Sequence, residues 1–291
     1  MLNIVEAFRV YEHCFPDYVI SEKYFTDMVN REDSLIIAKQ EDDEIIGSFI
    51  LVTNKNHVAA LGVKPKYRHR GKGYELLKEA EKRAKEQGCD KMILGGVGDF
   101  FVDGVPAEFS NLKYFEERGY VPVGETYDMY YDVDKMGRYM PDITLFHSAP
   151  EEAKFKIYEA SEQFIKDQLW AVAKTTEEEY FDATQEEGTI TFGVENNARI
   201  CGFCVLSDTA NRYHPYVEKY GKVGSIRGLS VIRGERLLGY GRTLAASAVI
   251  CLKKKGCKGI EILGIKPDMV DFFQPIGFRV MHRMVRMEKT L

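Results

Sequence analysis

The sequence predicts an α/β protein built as a tandem repeat, and three observations carry that reading. A glycine-bearing motif occurs twice, as Val63-Lys64-Pro65-Lys66-Tyr67-Arg68-His69-Arg70-Gly71-Lys72-Gly73 and as Val231-Ile232-Arg233-Gly234-Glu235-Arg236-Leu237-Leu238-Gly239-Tyr240-Gly241. Each copy follows an apolar run and opens a helix-like stretch, the order of a strand, a turn and a helix. The chain has 291 residues and is 45% apolar, enough for two cores of ordinary size.

Taken in order, the chain begins with helix-like sequence over 4–15, so the first half lacks an initial strand or has a very short one, and its sheet edge needs a cover. A strand over 44–52 enters from the polar pair Asp42-Asp43. After the first motif, a helix over 74–87 places Leu76, Leu77, Ala80 and Ala84 on one stripe. Glu75, Lys78, Glu79, Lys82 and Glu86 take its solvent side, and Gly88 stops it. An insertion over 95–110 follows, holding Asp99, Phe100, Phe101, Asp103, Pro106 and Glu108. A short helix around Tyr114 ends at Gly119, and 124–131 alternates as a strand. The joint falls in 135–141, dividing the chain into 1–138 and 139–291.

The second half repeats the plan. A strand is expected over 143–146, and Ser148 caps a helix starting near Pro150 and Glu151. A strand over 199–206 enters from Asn196-Asn197, matching 44–52. An insertion over 207–222 carries Tyr213, His214, Tyr216 and Tyr220. The second motif helix, 240–255, is richer in small apolar residues (Ala245, Ala246, Ala248, Val249) and is expected to be the more buried. Gly88-Cys89 and Gly256-Cys257 keep the same offset from Gly71 and Gly239, so the two helices are equally long. Downstream, Tyr114-Phe-Glu-Glu-Arg-Gly-Tyr120 matches Phe272-Phe-Gln-Pro-Ile-Gly-Phe278.

Composition narrows the function. A net charge of −5 argues against a general nucleic-acid binder and suits cationic acceptors such as amines. No apolar run is long enough to span a bilayer and no secretory leader is read, so no membrane partner and a cytoplasmic setting are expected. The six cysteines are scattered, mostly in apolar contexts, as in a reducing compartment. Cys201 and Cys204 have the spacing of a metal or redox pair, but they lie in a strand where residues three apart face opposite sides. With no second Cys/His pair at zinc spacing, no metal is expected.

A strand feeding a glycine turn and a helix N-terminus gathers backbone N–H groups into an anion site. Glycine, lacking Cβ, lets a phosphate come close. A dinucleotide fingerprint would need a glycine where Leu76 and Leu244 stand, and a P-loop would need Ser or Thr where Gly73 stands. The pattern Arg-x-x-Gly-x-Gly after a Val-x-Pro strand end resembles the signature of the GCN5-related N-acetyltransferase (GNAT) superfamily. The first copy matches at Val63, Pro65, Arg68, Gly71 and Gly73, whereas the second has Arg233 in place of the proline. The resemblance implies two tandem domains, each a mixed, largely antiparallel sheet flanked by helices with a central bulge, turn and helix. It also implies acetyl-CoA as donor in each half. The coenzyme contacts would be Leu61, Gly62, Val63, Arg68, His69, Arg70, Gly71, Lys72, Gly73 and Tyr74 in the first half. In the second they would be Leu229, Ser230, Val231, Arg236, Leu237, Leu238, Gly239, Tyr240, Gly241 and Arg242.

The resemblance further implies direct acetyl transfer to an amine, which must be positioned and deprotonated while the oxyanion is stabilised and the thiolate leaves. Many members carry a tyrosine acid four residues before the glycine of the late helix. This chain has Phe115 and Phe273 there; Tyr114, one residue away and rotated by about 100°, is the candidate, with water as the alternative. Asp128 interrupts an apolar and aromatic strand, where a charge is costly unless paired, so it is a candidate to hold or deprotonate an ammonium. Asp99, Phe101, Asp103 and Glu108 are candidates for acceptor contacts. The closing stretch 278–287 carries cations and no carboxylate. Amine chemistry is therefore assigned to the first half, and the second is expected to bind acetyl-CoA with its turnover left open. Phe101-Val-Asp-Gly-Val-Pro106, the Tyr114 helix and Gly124-Glu-x-x-Asp128-Met129 together are similar to tandem glucosamine/glucosaminide N-acetyltransferases. An aminoglycoside, a polyamine or a peptide N-terminus is the alternative acceptor. A non-catalytic acyl-CoA-binding module is the alternative class. The expected assembly is a monomer with two pseudo-equivalent domains, or a weak homodimer.

Overall fold

Two helices, Ile4–Cys14 and Glu22–Val29, precede the first strand in a computed structural model that describes residues 4–18, 20–41, 44–95, 103–107, 112–136, 149–209 and 221–291. The strands in chain order are β1 Leu35–Glu41, β2 Glu44–Thr53, β3 His57–Val63, β4 Lys91–Leu94, β5 Val105–Pro106 and β6 Val121–Asp132. They continue with β7 Lys154–Tyr158, β8 Ile190–Asn196, β9 Arg199–Ser207, β10 Val223–Val231, β11 Gly259–Ile265 and β12 Arg279–Thr290. The motif helices are Lys72–Glu86 and Tyr240–Lys254. The turn pairs and the long amphipathic stripes thus produce β2, β9 and both helices close to where their sequences place them.

The chain divides into two compact units. In the first, β1, β2 and β3 are antiparallel, β3 runs parallel to β4, and β4 pairs antiparallel with β12. In the second, β7, β8, β9 and β10 are antiparallel, β10 runs parallel to β11, and β11 pairs antiparallel with the Tyr127–Asp132 part of β6. The two sheets share one plan, and the last place in each is filled by the closing strand of the other half. The first unit accordingly holds the described residues up to Thr126 together with His282–Leu291. Along the chain the first change of unit falls within β6, between Thr126 and Tyr127.

This exchange places the cationic closing strand beside the carboxylates of the first half, correcting the expectation that the two lie apart. Arg286 grips Asp103 through both carboxylate oxygens, with Nη2 at 3.0 and 2.8 Å. Arg283 does the same to Glu125, with Nε at 3.0 Å from Oε2. Lys289 Nζ reaches the buried carboxylate of Glu81 at 2.9 Å, which also accepts from the Tyr120 hydroxyl at 3.1 Å. Met284, Val285 and Met287 of β12 are buried in the first unit, the last two in one core with Ile50, Leu76, Leu77, Ala80, Met92 and Leu94. Burying such side chains is worth about 1.5–3 kcal/mol each, and the Glu81 carboxylate would keep only Lys78, at 3.3 Å, and the Tyr120 hydroxyl. Removing residues 282–291 should therefore unfold the first unit. Hydrogen exchange should show helix Lys72–Glu86 losing protection while Tyr240–Lys254 keeps it. Unchanged protection of Lys72–Glu86 would refute the exchange.

In the second unit, Met129 and Tyr131 of β6 pack with Leu244, Ala248, Phe273, Ile276 and Phe278. A second cluster joins Tyr158, Leu169, Val172, Phe203 and Val205 under helix Gln163–Ala173. The helix expected near Pro150 and Glu151 does not form. Residues 154–158 are β7 instead, because Phe155 and Ile157 interleaved with lysines fit a strand against β8 better than a capped helix start. Positions 143–146 and Ser148 lie outside the described residues. Among the described residues, no helix is long and apolar enough to cross a membrane.

Candidate active site

Each unit opens a wedge between its two parallel strands. The β3/β4 pairing ends at Val58 and Leu94, and β3 runs on to Val63. The β10/β11 pairing ends at Ser225 and Glu261, and β10 runs on to Val231. An irregularity lies at each opening: the extra residue Ala59 on β3, where Ala60 and Val58 face Leu51 and Val52 of β2, and the stretch between Arg227 and Ser230 on β10, where Gly228 has φ +61°. A bulge adds local twist, which helps separate the strands.

A built turn follows each open strand. Arg68 Nε donates to the Val63 carbonyl at 2.8 Å, and Arg236 Nε to the Val231 carbonyl at 3.3 Å. That bond explains the five-residue spacing of valine and arginine in both copies: the side chain ties the turn back to the strand end. His69 and Leu237 then adopt φ +60° and +68°, a left-handed conformation costly for residues with a Cβ. Gly71 and Gly239 are left-handed too, φ +77° and +83°, and each is the N-cap of its helix. The first-turn N–H groups of a helix have no intrahelical acceptor, so each turn presents donors and a positive dipole end to an anion.

The turns differ in charge and in the residue that overlooks them. Positions 64–72 carry Lys64, Lys66, Arg68, His69, Arg70 and Lys72; positions 232–242 carry Arg233, Arg236 and Arg242 against Glu235. A Cβ placed on Gly73 would lie 3.1 Å from the Tyr114 hydroxyl and 3.5 Å from Val63. A Cβ on Gly241 would lie 3.4 Å from the ring of Phe272 and 3.7 Å from Val231. Tyr114 and Phe272 thus hold the same place, and only the first brings a hydroxyl. Phe115 and Phe273 turn away and pack on Tyr120 and Phe278. The Tyr114 hydroxyl is buried and, among the described residues, no group meets it in good hydrogen-bond geometry, although the Arg118 guanidinium lies close enough to favour its ionised form. Burial pushes this phenol above the ordinary tyrosine range, while the Arg118 charge works in the opposite direction.

A family model described as the acetyltransferase (GNAT) family matches residues 3–107 and 155–278. The chain belongs to the acetyltransferase (GNAT) family. Members use acetyl-CoA as donor, and the two cradles are of a kind that would hold its pyrophosphate. No curated protein matches the chain in sequence. A GCN5-related glucosamine N-acetyltransferase region of a fungal multi-domain GH3 β-N-acetylglucosaminidase has a similar structure, with TM-score 0.79 and 19% identity. The match covers 98% of this chain and 36% of that one, so this chain spans about a third of the fungal protein. A GCN5-related N-acetyltransferase from Sphaerobacter thermophilus gives TM-score 0.70 at 17% identity, covering 98% and 91%. A tandem GNAT protein from the clavulanic acid biosynthesis pathway gives 0.66 at 12%, covering 99% and 94%. At these identities the likeness is one of fold.

Within this GNAT frame the other candidate residues fall as follows. Gly62 lies under Phe49, whose ring would be 2.8 Å from a Cβ there, so Gly62 serves packing as well as any ligand. Leu61 and Val63 are half-buried, and Tyr74 is exposed beside Lys78 and Arg118. Ser230 is buried with its hydroxyl 2.9 Å from that of Thr176. Tyr240 is buried and its hydroxyl accepts from Asn196 at 2.8 Å, leaving its backbone for the cradle. Leu237 is exposed, while Leu229, Gly241 and Arg242 are half-buried. Asp128 is buried in the second unit, where its Oδ1 accepts the Gly264 N–H at 2.9 Å. That bond secures the irregularity of β11 between Ile262 and Ile265. Met129 pairs with Ile262 and Met287 with Leu94, so Asp128 and Arg286 hold corresponding positions on the exchanged strands. Asp99, Phe101 and Glu108 lie outside the described residues. Sequence reading missed Arg118 and Phe272; the repeat alignment that pairs 114–120 with 272–278 was the signal that could have found them.

Proposed function

We propose that the protein is an acetyl-CoA-dependent N-acetyltransferase for a primary amine, with transfer at the cradle of the first half, 1–138. The cradle of the second half, 139–291, is proposed to hold acetyl-CoA without transfer. The observation that carries the reading is the Tyr114 hydroxyl: buried, without a partner in good hydrogen-bond geometry, and set against Gly73 where Phe272 faces Gly241. The amine nitrogen attacks the thioester carbonyl, the C–S bond breaks, and the departing thiolate takes the Tyr114 proton. The proton lost by the amine returns to the phenolate through solvent. The denser cationic charge around Gly71 favours a phosphate-rich donor there.

The proposed acceptor is an amino sugar such as glucosamine. Support comes from the pattern around Phe101, Tyr114 and Asp128, and from the fungal glucosamine N-acetyltransferase region of similar structure. Asp99, Phe101 and Glu108 are proposed acceptor contacts; Asp103 is already engaged by Arg286. Thiol release from acetyl-CoA across a panel of glucosamine, aminoglycosides, polyamines and peptides tests the proposal. Absence of turnover with every amine would sink it.

One observation favours a second reading, with transfer at the second cradle: the strand exchange puts Asp128 on that unit's sheet. The Asp128 substitutions separate its roles. Asp128→Asn keeps an acceptor oxygen for Gly264, so its melting temperature should stay near wild type. Asp128→Ala orphans that N–H and should cost about 1–3 kcal/mol. If Asp128 also orients or deprotonates the amine, Asp128→Asn should lower kcat/KM by about 10²–10⁴-fold. Full activity in Asp128→Asn would leave Asp128 as the anchor of β11 only.

A further inference from the structure

Arg118 follows Tyr114 by one turn of chain, just past the helix Leu112–Glu116. Its guanidinium lies over the Tyr114 ring, 3.6 Å from the centroid, and its Nη1 donates to the Tyr114 carbonyl at 2.6 Å. A cation on a tyrosine is thus held in place by a backbone bond of that same tyrosine. Its Nε is buried and has no hydrogen-bond partner among the described residues. The nearest carboxylate, Glu117, reaches Nη1 only at 4.0 Å and is well exposed. The Arg118 side chain is 24% exposed, and a half-buried cation so weakly paired adds little to folding. The second unit shows that the fold does not need it. The repeat alignment puts Phe272 at the place of Tyr114 and Ile276 at the place of Arg118, and Ile276 is fully buried. The second cradle thus has no hydroxyl at this place and no cation at the place of Arg118; the guanidinium nearest the Phe272 ring is that of Arg242, 5.9 Å from the centroid.

We infer that Arg118 is a positioning residue that prepares Tyr114 to give its proton to the departing thiolate. The inference rests on the proposed acid role of Tyr114 and adds the group that acts through it. A guanidinium over an aromatic face is attracted by the ring's electron density. When the proton leaves, negative charge spreads from the oxygen into the ring, so the attraction grows as the thiolate departs. An interaction stronger in the transition state than in the ground state raises kcat. The half-buried site makes the gain larger than it would be in water. The carbonyl bond holds the guanidinium there, so little reorganisation accompanies the step. Tyr74, Lys78 and Glu117, which line the adjoining depression with Arg118, have no counterpart to this contact at 3.6 Å.

A double-mutant cycle on the intact chain tests this, using acetyl-CoA and whichever amine of the panel turns over fastest. Arg118→Met should lower kcat about tenfold, the scale of a desolvated cation–π contact, with KM for acetyl-CoA unchanged. Arg118→Lys should recover part of the loss. In the Tyr114→Phe background, Arg118→Met should have no further effect on kcat, because the group it serves is gone. Melting temperatures of all variants report folding independently. If Tyr114→Phe keeps full kcat, the acid role itself fails. If Tyr114→Phe is impaired but Arg118→Met lowers kcat equally in both backgrounds, or not at all, the inference about Arg118 fails while the acid role stands. Should Arg118→Met not fold, Arg118→Gln with the same cycle gives the same decision.

Discussion

Gly71→Trp should abolish turnover, whereas Gly239→Trp should leave most of it. Both glycines sit in the left-handed region at the N-cap of a long helix, so the backbone strain of the two substitutions is alike, about 1–2 kcal/mol. That strain is small against the stability of an ordinary domain. At Gly71 the protein itself leaves room, since the nearest atom to an added Cβ is Glu75 Oε1 at 3.9 Å. A loss of activity would therefore come from the ligand's space. Even a 1 Å displacement of a reacting group can cost about 10²-fold, and a bulky side chain in the pyrophosphate position displaces the whole donor. Calorimetric titration with acetyl-CoA should find two sites in the wild-type chain and one in each variant, with turnover surviving only where Gly71 is intact. The opposite pattern, with Gly239→Trp folded and inactive, would move the chemistry to the second cradle and to Asp128. A single site in the wild-type chain would reject the duplicated coenzyme site.

What was legible in the sequence was the part written in local spacing. The distance from valine to arginine is a side-chain bond to a strand-end carbonyl, and the glycines are left-handed caps. Both features are set within a dozen residues, so a linear motif contains them. The helices Lys72–Glu86 and Tyr240–Lys254 carry their own stripes and stops. The exchange of β6 and β12 left no such mark. Both strands alternate, both follow a short helix ending at glycine, and either would satisfy the open edge of β4 or β11. Only the register tells them apart, with Met129 beside Ile262 and Met287 beside Leu94. That single non-local fact moves Asp128 to the second unit and brings Arg283 and Arg286 onto the first unit's carboxylates. Charge reasoning along the chain assigned these groups by half, and the fold assigns them by sheet. Tyr114 was a half-legible case. Its rotation by one residue from Phe115 argues for a core position on a helix wheel, yet the structure turns Phe115 into the core and Tyr114 onto Gly73.

Tyr114→Phe should lower kcat by about 10²–10⁴-fold, the usual worth of a general acid, with the affinity for acetyl-CoA unchanged. Stability should move the other way or not at all. A buried hydroxyl without a partner costs about 1–3 kcal/mol relative to a satisfied one, and the Tyr114 hydroxyl has none in good hydrogen-bond geometry among the described residues. Replacing it with hydrogen removes that cost and leaves the ring contacts with Phe115 and Arg118 in place. A structural tyrosine would give the reverse result, with melting temperature falling and turnover kept. The pH profile adds an independent check. Turnover should rise with pH as the acceptor amine loses its proton. Because burial holds the Tyr114 phenol above its ordinary range, the acid form persists through that rise, and no alkaline decline should appear below about pH 10. Tyr114→Phe should then lower the whole profile without changing its shape, because the group that titrates in the assayed range is the amine. A variant that is less stable and fully active would assign Tyr114 to the core and leave water to protonate the thiolate.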